Sequence, residues 1–134
     1  MELTRRDALA AAALPLLAAI TGKAQGTQNT PVFTHDLPNL TMDDWQVTVS
    51  QITLPPGNVG APHRHPGFVL VYVLEGEIVA KISCSAEAAY GPGQMFYEFP
   101  GSTHEVSKNA SPTRPAKFLA FIFAKKGLPL TAPV

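Results

Sequence analysis

The feature that most restricts this chain is a rhythm of short extended segments cut by turn residues. From Trp45 the stretch "WQVTVSQITL" sets Trp45, Val47 and Val49 against Gln46, Thr48 and Ser50. That period of two places alternate side chains on opposite faces of a half-buried strand. "PPGNVG" breaks it; after "HRH" comes the apolar run Phe68 to Leu74, "EGE" turns at Gly76, and "IVAKIS" reads as the returning arm of a hairpin. "MFYEF", "STHEVSKNA" and "AKFLAFIF" supply three more strands, with Pro-Gly and Ser-Pro between them. With 13 prolines and 10 glycines, six or seven short strands at this spacing predict an all-β sandwich or barrel.

The first 26 residues stand apart from that rhythm. Arg5 and Arg6 precede an apolar stretch from Ala8 to Ile20, too short for the roughly 20 residues of a membrane-spanning helix. The pattern predicts an export signal of the twin-arginine type, cleaved near Gly26, and hence a periplasmic protein with no stable membrane span in its mature form. The expected organisation is an export signal over 1–26, an N-terminal arm over 27–44, a barrel over 45–126 and a C-terminal tail over 127–134.

Beyond Gly26 seven basic residues face eight acidic ones. No basic patch is interleaved with aromatics, so nucleic acid is not an expected partner. The single cysteine, Cys84, has no partner for an intramolecular disulfide or a zinc-finger spacing. Late in "AKISCSAEA", it is expected to be a small packing residue.

His63 and His65, one residue apart, project from the same face of an extended strand, with Arg64 turned away. His104 lies on a later strand, and two imidazoles from one strand with a third from another form a triad that leaves coordination positions open. His35, in the proline-bearing arm, is expected to be solvated. Val69, Val71 and Val73 share the phase of His63 and His65 and are expected to line the interior. Phe96, with Phe99, Phe121 and Phe123, is expected to join an apolar pocket or core. Tyr97, with Tyr72 and Arg64, is the polar candidate for reaching a small-molecule ligand.

The spacing of these residues resembles that of the small single-domain cupins. Their first motif, G-x5-H-x-H followed by a glutamate and a glycine, is matched by Gly57, His63, His65 and, after ten intervening residues, Gly76. Their second, G-x5-P-x-G-x2-H-x3-N, is matched by Gly93, Gly101 and His104, while Pro100 and Asn109 each stand one place late. The resemblance implies a double-stranded β-helix barrel, a homodimer, and a divalent metal inside one mouth, with His63, His65 and His104 at the positions of the family's histidine ligands. Gly57, Gly76 and Gly93 are suited to the positive φ that tight strand connections need.

The family's glutamate ligand falls at Val69, or at Leu70 with one residue of slip, and neither binds a metal. Glu75 and Glu77 flank the Gly76 turn, too far along to reach back, and Glu105 follows His104 directly and points the other way. Glu98 shares the parity of His104, but Pro100-Gly101 interrupts the strand between them. The expected donor set is therefore the three histidines alone. Nitrogen ligation favours a divalent transition metal (Fe, Zn, Ni, Cu or Mn) over magnesium or calcium. The expected function is an exported, metal-binding cupin, with oxygenase-type or other metal-assisted chemistry on a small oxygenated compound. The alternatives are a cupin that binds a small ligand or metal without turnover, and a metal-free assembly domain.

Overall fold

The computed structural model describes residues 26–134; the export signal expected before them lies outside the described residues. Among the described residues the elements are all strands: β1 (Trp45–Leu54), β2 (His63–Arg64), β3 (Phe68–Glu75), β4 (Ile78–Ile82), β5 (Ala88–Tyr90), β6 (Met95–Glu98), β7 (Thr103–Lys108), β8 (Ala116–Lys125) and β9 (Ala132–Pro133). They form two antiparallel sheets, ordered β1-β8-β3-β6 and β5-β4-β7-β2-β9. The chain is a double-stranded β-helix, as expected. No helix among the described residues is long and apolar enough to cross a membrane.

The core lies between the sheets. Val69, Val71 and Val73 of β3 face Ile78, Ala80 and Ile82 of β4 and the even-numbered residues of β8, Ala116 to Ile122. That phase corrects two expectations. Phe121 and Phe123 fall on the odd phase of β8 and turn to the outer side, where Phe123 stacks on Phe68 with ring centroids 4.7 Å apart. Phe99 is exposed, so of the four phenylalanines only Phe96 enters the core.

In β1 the register Val47↔Phe123 and Val49↔Phe121 carries both valines outward, where each stays about half exposed. Ser50, Ile52 and Leu54 face the interior instead. Residues directly opposite in an antiparallel pair share a face, so the phase of β8 dictates that of β1.

Gly57, Gly76 and Gly93 all adopt positive φ. At Gly76 (φ 70°) a Cβ would also stand 2.6 Å from the Pro115 carbonyl oxygen, so both backbone conformation and close approach demand glycine there. Cys84 does not pack: it is exposed, at φ 65°, in the turn after β4. His35 is exposed in the arm but not simply solvated, because its ring lies 4.2 Å from that of Tyr97 and holds the arm against the outer side.

Asn109 closes the end of β7. It is buried, its amide nitrogen donates to the carbonyls of Leu54, Pro55 and Arg114, and its side-chain oxygen accepts from Ser111 N. One side chain thus joins the ends of β1 and β7 to the approach to β8. The stretch expected to be a free tail ends in β9, which pairs with β2 at His63 and Arg64.

Candidate metal centre

β2 and β7 pair with His63 directly opposite His104, so their side chains rise from one face and their ring centroids lie 5.0 Å apart. His65, two residues on, brings its ring to the same 5.0 Å from that of His63. Pairing with β4 passes from Lys81↔Val106 to Ile82↔His104, so β7 carries an extra residue, Glu105, between them. His104 and Ser107 both face inward as a result, although they are three apart. Glu105 turns out to an ion pair with Lys81, and Glu75 to one with Lys117, as their positions predicted.

Glu98 was left out of the expected donor set, and the structure places it inside the cluster. One donor atom from each of His63, Glu98 and His104 lies within 4.8 Å of the others. Glu98 Oε1 is 3.2 Å from His104 Nδ1, and Oε2 is 3.5 Å from His65 Nε2. Two features bring the carboxylate there. Pro100-Gly101 does break the strand, but the break is a corner: β6 belongs to one sheet and β7 to the other. The corner folds His104 back over Glu98. In addition, β3 and β6 pair with Val69 directly opposite Glu98, so both side chains stand on one face about 5 Å apart at Cβ. The carboxylate absent from β3 is supplied by the neighbouring strand, at the position facing the gap.

The proton inventory suits a metal. His63 Nδ1 lies 3.0 Å from Ala61 O and His65 Nδ1 lies 2.6 Å from Leu130 O. A carbonyl only accepts, so each Nδ1 carries the hydrogen and, in the neutral ring, each Nε2 presents a lone pair. That is how ligating histidines are commonly oriented. Burial holds the His63 pKa below 6.5, with the neighbouring His104 and His65 acting in the same direction and the Ala61 hydrogen bond and Glu98 opposing. His63 is therefore a neutral imidazole at neutral pH.

His65 Nε2 stands 3.5 Å from Glu98 Oε2, a contact that a cation between the two atoms, a proton or a metal ion, would satisfy. His104 Nε2 is buried without a hydrogen-bond partner. The imidazoles of His63 and His104 and the Glu98 carboxylate, with an orphaned nitrogen among them and His65 at the other carboxylate oxygen, fit a divalent transition metal.

The remaining site candidates separate into three layers. Val69 and Val71 line a cavity of about 390 Å³ beside the cluster. Val73 and Phe96 belong to the core and not to the cavity wall; Phe96 packs edge-on against the His104 ring at 5.8 Å and backs it. Tyr97, on the opposite phase of β6, packs on Phe68 and His35. Burial pushes its phenol pKa up, and it does not reach the cavity. Leu130 and Thr131, in the expected tail, do line it.

Comparison with known proteins agrees with this architecture. The family described as "Cupin domain" matches residues 50–122. No curated protein matches the chain. Among solved structures, a predicted oxalate decarboxylase from Thermotoga maritima aligns with a TM-score of 0.51 at 22% identity, over 69% of this chain and 70% of that one. An oxalate oxidase aligns at 0.55 and 19%, over 86% and 75%. The DMSP lyase DddQ from Ruegeria pomeroyi DSS-3 aligns at 0.56 and 17%, over 66% of this chain but only 43% of that one. At these identities the likeness is one of fold.

Proposed function

Because the chain belongs to the cupin domain family, we propose that it is a metal-binding cupin whose centre is built by His63, His65, His104 and Glu98. The observation that carries this reading is the convergence of one donor atom each from His63, Glu98 and His104 within 4.8 Å, with His104 Nε2 buried and without a partner. A bound divalent transition metal supplies Lewis acidity and open positions for an oxygen ligand. The protein does the rest. Ala61 and Leu130 carbonyls hold two imidazoles in the ligating tautomer, Glu98 offsets part of the ion's charge, and the valines of β3 keep bulk water from one side.

The chemistry proposed is a metal-assisted, oxygenase-type step on a small oxygenated compound. Fold neighbours whose names refer to oxalate and DMSP support a small molecule as the occupant. A binding role without turnover is favoured by one observation: among the described residues lining the cavity, every titratable side chain belongs to the cluster itself. Oxygen uptake by the iron-loaded protein in the presence of candidate compounds separates the two.

Export and dimerisation complete the reading. Arg5-Arg6 before the apolar stretch supports folded export to the periplasm, and replacing both by lysine is expected to strand the protein in the cytoplasm. The outward, half-exposed Val47 and Val49 beside Phe121 and Phe123 support a homodimer through the outer face of the first sheet. The primary test is metal analysis of the purified protein. Stoichiometric transition metal, lost in His63→Ala and His104→Ala, is the expected result; wild-type protein that neither carries nor takes up such a metal removes the centre.

A further inference from the structure

The cavity beside the cluster is polar at the cluster and mainly hydrocarbon on the side of the first sheet, where Ser50 is the one hydroxyl. Ile52 of β1, Val71 of β3, and Phe118, Ala120 and Ile122 of β8 form that hydrocarbon side. The polar additions are the hydroxyls of Ser50, Ser107 and Thr131. Among the described residues that line the cavity there is no Lys or Arg, and Glu98 is the single carboxylate.

Charge then selects the occupant. A divalent ion with three neutral imidazoles and one carboxylate leaves a net charge of about +1, which one anionic oxygen on the ligand neutralises. A second carboxylate on a body laid along that hydrocarbon side would have no cation to pair with, and burying an unpaired charge is costly. We infer that the site takes a small molecule with one anionic oxygen head and an apolar body, of which a monocarboxylate is the simplest, in preference to dicarboxylates. This inference rests on the metal centre proposed above. The volume, about 390 Å³, admits a body of several carbons.

Ala120 sets the room for that body. It stands opposite Ser50 of β1 and Val71 of β3 at the centre of the first sheet, and all three line the cavity. It is the smallest side chain on the hydrocarbon wall. A larger residue there projects into the space the ligand body takes.

The test uses full-length mature protein loaded with cobalt(II), whose visible spectrum reports ligands entering the metal's coordination shell, titrated with acetate, pentanoate and glutarate at constant ionic strength. Pentanoate and glutarate share a chain length and differ in one terminal carboxylate. Pentanoate is expected to bind about tenfold more tightly than acetate, through its buried methylenes, and about tenfold more tightly than glutarate. Glutarate binding as tightly as pentanoate, or acetate equalling pentanoate, overturns the ligand class while leaving the metal centre standing.

In Ala120→Leu, with cobalt stoichiometry retained, the advantage of pentanoate over acetate is expected to shrink. An undiminished advantage counts against the body subsite. Wild-type protein that holds no cobalt overturns the centre and this inference with it.

Discussion

Two buried polar clusters in this barrel differ in whether the protein satisfies them by itself. Around Asn109 every polar atom of the side chain is engaged by backbone: three carbonyls accept from its nitrogen and one amide donates to its oxygen. Around Glu98 the accounts stay open. His104 Nε2 has no partner, and His65 Nε2 stands 3.5 Å from a Glu98 carboxylate oxygen. A polar group closed by its own chain belongs to the fold, because removing it exposes the cost of the groups it satisfied. A buried cluster with an unpartnered nitrogen fits a cation from outside, which is the reading proposed above. Asn109 and His104 both sit at the second cupin motif, five residues apart, so this difference cannot be read from motif membership.

The comparison is broken most forcefully at Glu98. Glu98→Val is expected to weaken metal binding by at least about 100-fold, and adding Val69→Glu in that background to restore stoichiometric metal, since the two positions face each other across β3 and β6. Metal content after dialysis reads both; a double variant as empty as the single one would show that the strands are not interchangeable donors.

Asn109→Ala is expected to do the reverse. It costs roughly 2 kcal/mol or more in urea unfolding, while the metal bound per folded molecule stays unchanged. Ending the chain after Lys126 removes the Leu130 carbonyl that orients His65, and the metal affinity is expected to fall by about tenfold. Competition with a chelator checks it, and an unchanged constant would reduce β9 to a passive strap.

The smallest effect is on pH. The folded pKa of His63 lies below 6.5 chiefly through burial, so the unfolded chain takes up a proton that the fold resists. Stability of the metal-free protein is expected to be unaffected above pH 6.5, to decline as pH falls from 6.5 towards the folded value, and to level off below that folded value. His63→Gln should remove this component from urea midpoints measured across that range.

Strand rhythm and turn residues made the fold class legible, because period two and Pro-Gly punctuation are local properties. The phase of β8 was marked only at its ends, where Lys117 and Lys125 share the odd phase with Leu119, Phe121 and Phe123, and between them both faces are apolar, which is why Phe121 and Phe123 were expected inside. In β1 the more apolar phase turned out to be the outer one, opposite Phe121 and Phe123 of its neighbour. Glu98 was lost for a related reason. Its distance along the chain from His104 crosses a corner, and its partnership with the Val69 position exists only in the cross-strand register.

By itself the sequence determined an all-β chain with His63, His65 and His104 as the only histidines in strand context, because spacing and turn chemistry act over a few residues. Tertiary structure alone decided that Glu98 joins them and that Leu130 orients His65. It also decided which apolar face encloses the cavity. Each of these depends on which strands lie side by side, a choice made by packing the whole barrel and encoded in no single segment of it.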